Sequence, residues 1–253
     1  MQQHIEILRS AIVPSGFVHG FATRHGGVST GKRSSLNLGN RWGDRPENVA
    51  ENRRRLAAAA GFDLSRLQVT KHVHGTNVWI VGDPLPEKAE FDVLVSNRPG
   101  DVLGAFAADC IPLLFVDPVT RVVAAAHAGW RGTAAGVAAK AIEAMRSRFG
   151  CRPGDIRVAL GPSIGPCCFE VGQEVVEVFR RALPDVPGLV VPGPQRNHVD
   201  LRVATRRILE GSGALSDHID DQPPCTRCDP ERFFSFRRDG QEGGVHMAFV
   251  GTE

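Results

Sequence analysis

The chain has 253 residues, of which 42% are hydrophobic, and a formal net charge of +2 at pH 7. This composition predicts a globular protein with a substantial core, and the small net charge argues against nucleic acid or a membrane surface as a partner. The longest apolar runs are far shorter than the roughly 20 residues that a membrane span needs, and the amino terminus does not resemble a signal peptide. We therefore expect a cytoplasmic protein that acts on small molecules.

The first part of the chain combines short β-rich segments with one helix. Strands are predicted over residues 4–13 and 17–23. Arg24 and the His-Gly-Gly sequence after it predict a tight turn whose backbone approaches another group closely. Pro46 is typical of a helix start, and Gly61 of a helix end, so these residues predict a helix between them.

Two histidines and one cysteine lie at predicted strand ends in the middle of the chain. Segments 67–73 and 77–81 flank His74. Strands are also predicted over 91–96 and 102–107, and the second ends shortly before Cys110. Segments 113–117 and 122–126 are joined by an Asp-Pro turn and predict an antiparallel hairpin that leads directly to His127.

The segment after His127 predicts a helix over residues 134–149, with Gly150 as its C-cap. The helix start would present free backbone N–H groups beside Arg131, a combination that favours anion binding. An ordinary structural turn is the alternative at this position.

The remaining segments complete the outline of one domain. They comprise a strand over 156–160, a Gly- and Pro-rich loop over 161–168, helices over 173–183 and 199–210, and a hairpin formed by 233–237 and 245–250. No change in composition marks a domain boundary, so we expect a single domain over residues 1–253.

The three residues at strand ends suggest a metal site. His74, Cys110 and His127 form a two-His, one-Cys set, which is a plausible catalytic zinc arrangement with a fourth position open to water. Their long spacing requires the fold to assemble them. A metal-free alternative uses Cys110 as nucleophile, His127 as base, and Asp109 or another acid to orient the imidazole. Both hypotheses require Cys110 and His127 to meet.

The other cysteines are harder to interpret. Cys225 and Cys228 have the C-x-x-C spacing of a structural zinc or redox site, but no second pair lies near them in the sequence. Two unlinked thiols are at least as consistent with this pattern. We expect them, with Cys167 and Cys168, to pack or to line a pocket wall.

Seven short motifs in order carry a resemblance to a known family. They are residues 23–29 (TRHGGVS), 35–39 (SLNLG), 73–75 (VHG), 108–110 (ADC), 127–133 (HAGWRGT), 161–172 (GPSIGPCCFEVG) and 235–240 (SFRRDG). Together they resemble the laccase-domain family. Its members were described as multicopper polyphenol oxidases and are now described as purine nucleoside phosphorylases that also act on adenosine and methylthioadenosine. The resemblance extends from about Phe17 to the end of the chain.

The resemblance implies an α+β fold, a single mixed α/β domain with mixed sheets flanked by helices. It implies a zinc-dependent purine nucleoside phosphorylase that cleaves adenosine, inosine, guanosine or methylthioadenosine with phosphate, with possible adenosine deaminase activity. His74, Cys110 and His127 would be its metal-binding and catalytic residues, and Arg24 would lie near the substrate. Arg24, Arg131 and the helix start would hold phosphate, because guanidinium groups and oriented N–H groups suit phosphate oxygens.

Three positions depart from the family pattern. His72 stands where glutamine is usual, Phe236 where tyrosine is common and His246 where arginine is common. His72 would either add a fourth nitrogen ligand or reshape the pocket, and we favour reshaping.

Copper chemistry ranks below zinc. The chain has nine histidines and only one His-x-His pair, formed by His72 and His74, whereas a multicopper oxidase draws on many histidines. A single copper ion at the His74–Cys110–His127 set stays an alternative, and with it a copper-dependent polyphenol oxidase.

Overall fold

A computed structural model of the protein describes residues 4–40 and 43–253, which contain thirteen β-strands and six α-helices. The strands are β1 (Ile7–Leu8), β2 (Phe17–Ala22), β3 (Leu67–Gln68), β4 (Val78–Ile80), β5 (Val93–Ser96), β6 (Val102–Ala107), β7 (Ile111–Asp117), β8 (Val122–Ala128), β9 (Arg157–Leu160), β10 (Val190–Val191), β11 (His198–Val199), β12 (Ile219–Asp220) and β13 (His246–Thr252). The α-helices are α1 (Pro46–Ala60), α2 (Trp130–Ala134), α3 (Val137–Phe149), α4 (Gln173–Ala182), α5 (Leu201–Gly211) and α6 (Phe236–Asp239). Short 3₁₀ helices cover Gly31–Arg33, Leu64–Arg66, Pro153–Asp155, Ser216–His218 and Gly240–Glu242.

Within the described ranges the strands form two large mixed sheets and one small antiparallel sheet. The five-stranded sheet has the order β1-β2-β13-β6-β3, and only its β3–β6 pair is parallel. The six-stranded sheet has the order β12-β9-β7-β8-β5-β4, with parallel pairs at both edges. Strands β10 and β11 form the small sheet. The mixed α/β fold class predicted from the sequence is confirmed.

The two large sheets pack against each other, and helices cover their outer faces. Helix α1 packs on the five-stranded sheet through Leu56, which lies in one cluster with Met247 and Phe249 of β13. The alternate residues of β13, Ala248 and Val250, face the six-stranded sheet instead. This division follows from the two-residue period of a strand, which sends successive side chains to opposite faces.

Strand β8 is buried on both faces. Val123 and Ala125 pack between the sheets, whereas Ala124 and Ala126 pack on the side that carries α3, α4 and α5. A strand covered on both sides reads as a continuous apolar run, and its small alanines let neighbouring layers approach closely. His127 is the last residue but one of this strand, so this packing also fixes the position of the imidazole.

The hairpin predicted before His127 is confirmed. Strands β7 and β8 pair antiparallel, with Asp117 opposite Val122 and Pro112 opposite His127. The carboxylate of Asp117 accepts hydrogen bonds from the backbone N–H groups of Val119 and Thr120 and so stabilises the turn. The predicted helix between Pro46 and Gly61 is also confirmed as α1, and Gly61 ends it with φ of 80°.

The helix predicted over residues 134–149 is interrupted. A separate five-residue helix, α2, ends at Ala134, and α3 begins only at Val137. Gly136 lies between them with φ of 81°, a left-handed conformation that glycine adopts without steric cost. The helix start after His127 therefore belongs to a single short turn, and the charge separation of a long helix is absent there.

The hairpin predicted for residues 233–237 and 245–250 is wrong. The second segment belongs to β13, which pairs with β2 and β6. In the first segment, the hydroxyl of Ser235 accepts a hydrogen bond from the N–H of Arg238 and caps α6. Phe233 and Phe234 are fully buried just before this cap. Their hydrophobicity reflects core packing in an irregular segment.

No helix in the described ranges is long and apolar enough to span a membrane. The cytoplasmic location expected from the sequence stays a prediction. The single domain over residues 1–253 also stays a prediction, and residues 1–3, 41 and 42 lie outside the described residues.

Candidate functional site

The structure brings His74, Cys110 and His127 together. One potential ligand atom from each, a ring nitrogen or the sulfur, lies within 4.8 Å of those of the other two. The rings of His74 and His127 meet edge to face, with centroids 4.8 Å apart. Cys110 and His74 are half-buried and His127 is buried. Cys110 and His127 therefore lie close together, as both hypotheses from the sequence required. The metal-binding and catalytic roles of the three residues stay a prediction.

Each of the three residues is positioned by the end of a strand or by a turn. His127 is the sixth residue of the seven-residue strand β8. Cys110 precedes β7 immediately, and the β7–β8 pairing brings it to the same end of the sheet. His74 lies in the turn before β4 and has φ of 61°, uncommon for a residue with a side chain. A backbone in this conformation needs support from its surroundings.

Asp92 supplies that support. Its carboxylate is fully buried and accepts hydrogen bonds from the backbone N–H groups of Val73, His74 and Gly75, at 3.3, 3.1 and 2.7 Å. The Nδ1–H of His127 donates to the same carboxylate at 2.8 Å. A single acid therefore holds the His74 turn and orients the His127 ring, so that Nε2 of His127 can bind a metal once it has lost its proton.

None of the sequence motifs pointed to Asp92. The only available signal was an acidic residue immediately before the apolar run 93–95 at the start of β5, a position where an unpaired charge would be costly. Burial raises the pKa of this carboxyl, but the hydrogen bond from His127 and the other N–H donors outweigh burial, so its pKa lies below the usual value. Asp92 is therefore ionised at neutral pH.

Cys110 and His127 form a charge pair. Burial opposes ionisation of the thiol, but the positive charge of His127 and hydrogen bonds from both histidines lower the pKa of Cys110 to about 6. Burial likewise opposes the imidazolium, but the Cys110 thiolate and the Asp92 carboxylate raise the pKa of His127 to about 9. The thiolate is the form of cysteine that binds metals and attacks electrophiles.

The donor set fits a metal ion, and Gly129 keeps space beside it. A Cβ added at Gly129 would lie 2.3 Å from Nδ1 of His74 and 3.1 Å from Sγ of Cys110. These two atoms therefore border the same small space beside Gly129, which the side chain of any residue larger than glycine would fill. Two imidazoles and one thiolate are ligands that zinc prefers, and a carboxylate that hydrogen-bonds a ligating imidazole is the usual outer support.

His72 does not provide a free fourth ligand. Its Nδ1 lies 3.0 Å from the carbonyl oxygen of Phe91, and its Nε2 lies 3.0 Å from the backbone N of Phe106, so one nitrogen donates and the other accepts. The ring stacks on His127, with centroids 4.7 Å apart and planes 8° apart. Burial, with the charge of His127, lowers the pKa of His72 to about 3. His72 is thus a neutral ring that packs behind His127.

Asp109 is not the group that orients His127. Its carboxylate accepts hydrogen bonds from the hydroxyls of Thr226 and Ser235, at 2.6 and 3.0 Å, and from the backbone N–H of Arg237, at 2.6 Å. Asp92 has the orienting position instead. Asp109, the residue before Cys110, has φ of 88°. Its carboxylate links this position to two segments that are distant in the sequence.

The two arginines expected near the substrate have different surroundings. The guanidinium of Arg131 is exposed and lies 4.2 Å from the ring centroid of Trp130; among the described residues it has no acidic partner and no hydrogen-bond acceptor. The guanidinium of Arg24 donates to the carbonyl oxygens of Ser34, Pro230 and Lys32. Arg131 is therefore available to an anion, whereas three donor atoms of Arg24 are already engaged.

Comparison with known proteins identifies relatives along almost the whole chain. A family model described as multi-copper polyphenol oxidoreductase laccase matches residues 18–253. Purine nucleoside phosphorylase LACC1 from Homo sapiens is 41% identical over 254 residues; the match covers 97% of this chain but only 58% of that protein. Adenosine deaminase RL5 from an unknown prokaryotic organism is 36% identical, over 90% of this chain and 91% of RL5.

A bacterial relative is similar in both sequence and structure. Purine nucleoside phosphorylase YlmD from Geobacillus stearothermophilus is 39% identical over 250 residues, which cover 94% of this chain and 90% of that protein. A crystal structure of YlmD from this organism superposes with a TM-score of 0.90 over 98% of this chain and 96% of the other.

Proposed function

The chain belongs to the family described as multi-copper polyphenol oxidoreductase laccase, as the seven motifs indicated, and on this basis we propose that it is a zinc-dependent purine nucleoside phosphorylase. The observation that carries the proposal is the meeting of His74, Cys110 and His127 beside Asp92. Family members 36–42% identical to this chain bear the names of purine-converting enzymes.

Zinc is favoured over copper by the number of available ligands. In the described part of the chain, the only other histidine-containing ligand group is His72–Asp92–His127, which shares His127 with the first. Both ring nitrogens of His72 are engaged by the backbone. One metal ion therefore suits this centre, whereas a multicopper oxidase needs several histidine-rich sites.

Phosphorolysis joins a phosphate oxygen to C1′ of the ribose while the bond between C1′ and the purine nitrogen breaks. The purine takes up a proton and leaves as the free base, and the sugar becomes ribose 1-phosphate. Arg131 would hold the phosphate, because a planar guanidinium binds two of its oxygens at once. A zinc ion at the three-residue set would supply a Lewis acid for the charge that develops during bond cleavage.

The substrates proposed are adenosine, inosine, guanosine and methylthioadenosine. Deamination of adenosine is a second candidate activity, supported by the similarity to RL5, whose name describes an adenosine deaminase. A centre with one open metal position suits both reactions, since it can activate either a leaving group or water.

The test is to incubate the zinc-loaded protein with inosine and phosphate, and separately with adenosine without phosphate. We expect hypoxanthine and ribose 1-phosphate in the first mixture; inosine in the second would establish deamination. Failure to form a free base or inosine would contradict the proposal. Stoichiometric copper and no zinc in protein purified without added copper would instead support the oxidase alternative.

Treatment with a chelator distinguishes the zinc mechanism from a cysteine-hydrolase mechanism. If Cys110 acts as a nucleophile oriented through His127 and Asp92, activity survives chelation and is lost on thiol alkylation. If zinc is required, activity is lost on chelation and returns when zinc is added. Activity that persists in metal-free protein would reject the zinc mechanism.

Arg131→Gln is expected to raise KM for phosphate by about 10- to 100-fold, because a hydrogen bond to a charged group contributes about 1.5–3 kcal/mol. The free energy of unfolding should change by less than about 0.5 kcal/mol, since Arg131 is exposed. Steady-state kinetics at varied phosphate and thermal unfolding are the measurements. Arg180→Gln on α4 removes the same charge from another exposed position and should leave KM unchanged. An unchanged KM for Arg131→Gln would remove Arg131 from the phosphate site.

A further inference from the structure

Four cysteines from two distant parts of the chain meet outside the site described above. Cys167 and Cys168 end the loop after β9, and Cys225 and Cys228 lie beyond β12. All four Sγ atoms lie within 4.8 Å of one another. Cys225 and Cys228, which appeared to lack a second pair, therefore find that pair in space. This pair is remote in the sequence, so the C-x-x-C spacing alone left unlinked thiols open as an alternative.

The spacing of the sulfur atoms suits a tetrahedral metal site. Sγ of Cys228 lies 3.5 Å from Sγ of Cys167 and 3.4 Å from Sγ of Cys168. Four sulfurs placed 2.3 Å from a central zinc would be about 3.8 Å apart. All four cysteines are free thiols in the structure. One sulfur in contact with two others matches a cluster of ligands better than a disulfide, which joins only two.

The backbone around the cluster provides hydrogen bonds of the kind that stabilise thiolates. The N–H of Gly165 donates to Sγ of Cys225 at 3.2 Å. The backbone N–H groups of Arg227 and Cys228 also lie close to this sulfur. Donors directed at a sulfur stabilise negative charge, which a metal-bound thiolate carries.

A cation lies beside the cluster. A Cβ built on Gly165 would lie 3.3 Å from Sγ of Cys167 and 3.2 Å from Nη2 of Arg202, so both groups approach the same point. The buried Nε of Arg202 has no hydrogen-bond partner among the described residues. Four thiolates around a divalent metal ion leave a net negative charge, and this guanidinium is placed to offset it.

We propose that Cys167, Cys168, Cys225 and Cys228 bind a second zinc ion with a structural role. Four thiolates fill all positions of a tetrahedral ion and leave none for substrate, which is the pattern of structural zinc. The site shares no residue with the His74–Cys110–His127 set, and its existence does not depend on the purine chemistry proposed above.

The second zinc would position Cys110 through Asp109. The loop that bears Cys167 donates the N–H of Ile164 to the carbonyl oxygen of Asp109 at 2.9 Å. The segment that bears Cys225 donates the hydroxyl of Thr226 to the Asp109 carboxylate. A zinc ion that joins these two segments therefore holds the residue before Cys110 from both sides. The four cysteines are positioning residues in this proposal, since none of them contacts the first site.

Metal analysis of the purified, reduced protein tests the proposal. We expect two zinc ions per wild-type chain, one in Cys110→Ala and one in the double variant Cys225→Ser, Cys228→Ser. Cys151→Ala, which removes a buried thiol outside both sites, should keep two. The double variant should also unfold at a lower temperature than wild type.

A second measurement leaves the four cysteines unchanged, so it still tests the proposal if the double variant fails to fold. Cobalt added to metal-free Cys110→Ala should give the intense sulfur-to-cobalt charge-transfer absorption of a tetrathiolate site, with one equivalent bound. Cys110→Ala protein that binds no metal, or cluster thiols found joined in disulfides by mass spectrometry, would overturn the proposal. Absence of nucleoside turnover with two zinc ions still bound would reject the proposed function and leave this site standing.

Discussion

Cys110→Ala is expected to remove the metal ion from the first site and to lower kcat/KM for phosphorolysis by at least about 100-fold. Transition-state stabilisation by a catalytic metal amounts to several kcal/mol, and each 1.36 kcal/mol corresponds to a factor of ten in rate. The thiolate is the only negatively charged member of the three-residue set, so its loss weakens the attraction for a divalent cation more than the loss of a neutral ligand would. Metal content and initial rates are the measurements.

The charges of Cys110 and His127 explain why the Cys110 sulfur is in the form that binds a metal. The positive charge of His127, against the opposing effect of burial, lowers the pKa of Cys110 to about 6, and the thiol is therefore largely deprotonated at pH 7. A zinc ion would take the place of the proton that His127 shares with the sulfur. In Cys110→Ala the thiolate that raises the pKa of His127 is gone, so the pKa of His127 should fall.

Cys151→Ala is the matched control for this variant. Cys151 is buried, and its Sγ lies 3.2 Å from the hydroxyl of Thr120, away from both cysteine-containing sites. It should retain metal and activity, although removal of a buried group lowers stability. Full activity of Cys110→Ala would reject the assignment of this site, whatever reaction the protein catalyses.

Asp92→Asn is expected to weaken zinc binding at the first site by about 10- to 100-fold, the usual effect of removing an outer carboxylate from a ligating imidazole. An asparagine side chain has one acceptor oxygen and an NH₂ group, so it cannot accept from His127 and from the three N–H groups of residues 73–75 together. Both the His127 ring and the His74 turn should lose their fixed orientation. Competition with a chromogenic chelator measures the affinity.

Asp117→Asn controls for the loss of any buried carboxylate. Asp117 is also fully buried and also accepts backbone N–H groups, but it stabilises the β7–β8 turn at the opposite end of the hairpin from the metal ligands. Both N–H groups donate to the same oxygen, and asparagine also has one acceptor oxygen, so the free energy of unfolding should fall by at most about 1.5 kcal/mol. Zinc affinity should stay unchanged. Equal zinc affinity in Asp92→Asn and wild type would contradict the outer-carboxylate role.

Local sequence signals predicted the elements whose stability is decided within a few residues. Helix α1 begins at a proline and ends at a left-handed glycine, and both signals are readable from the residue types. The β7–β8 hairpin has an apolar run on each side of an Asp-Pro turn. Capping, turn geometry and hydrophobic periodicity act over short distances, so no knowledge of the rest of the fold is needed to recognise them.

Segments whose conformation depends on distant partners were predicted poorly. Phe233 and Phe234 have the apolar character of a strand, yet no strand includes them, and the N–H of Phe234 donates to Nε2 of buried His246. The guanidinium of Arg24 lies 4.7 Å from the Phe234 ring. Residues far away in the sequence provide these contacts, so hydrophobicity alone indicated burial without indicating the backbone conformation.

The sequence by itself identified the family and the candidate ligands His74, Cys110 and His127, because residue type and motif order carry that information directly. Only the tertiary structure showed that Asp92 holds the His74 turn and the His127 ring together, that Asp109 faces Thr226 and Ser235 instead, and that four cysteines form a second cluster. An outer carboxylate or a thiol cluster is defined by distances between side chains. Those distances are set when strands and loops that are remote in the chain pack side by side, and no local pattern records them.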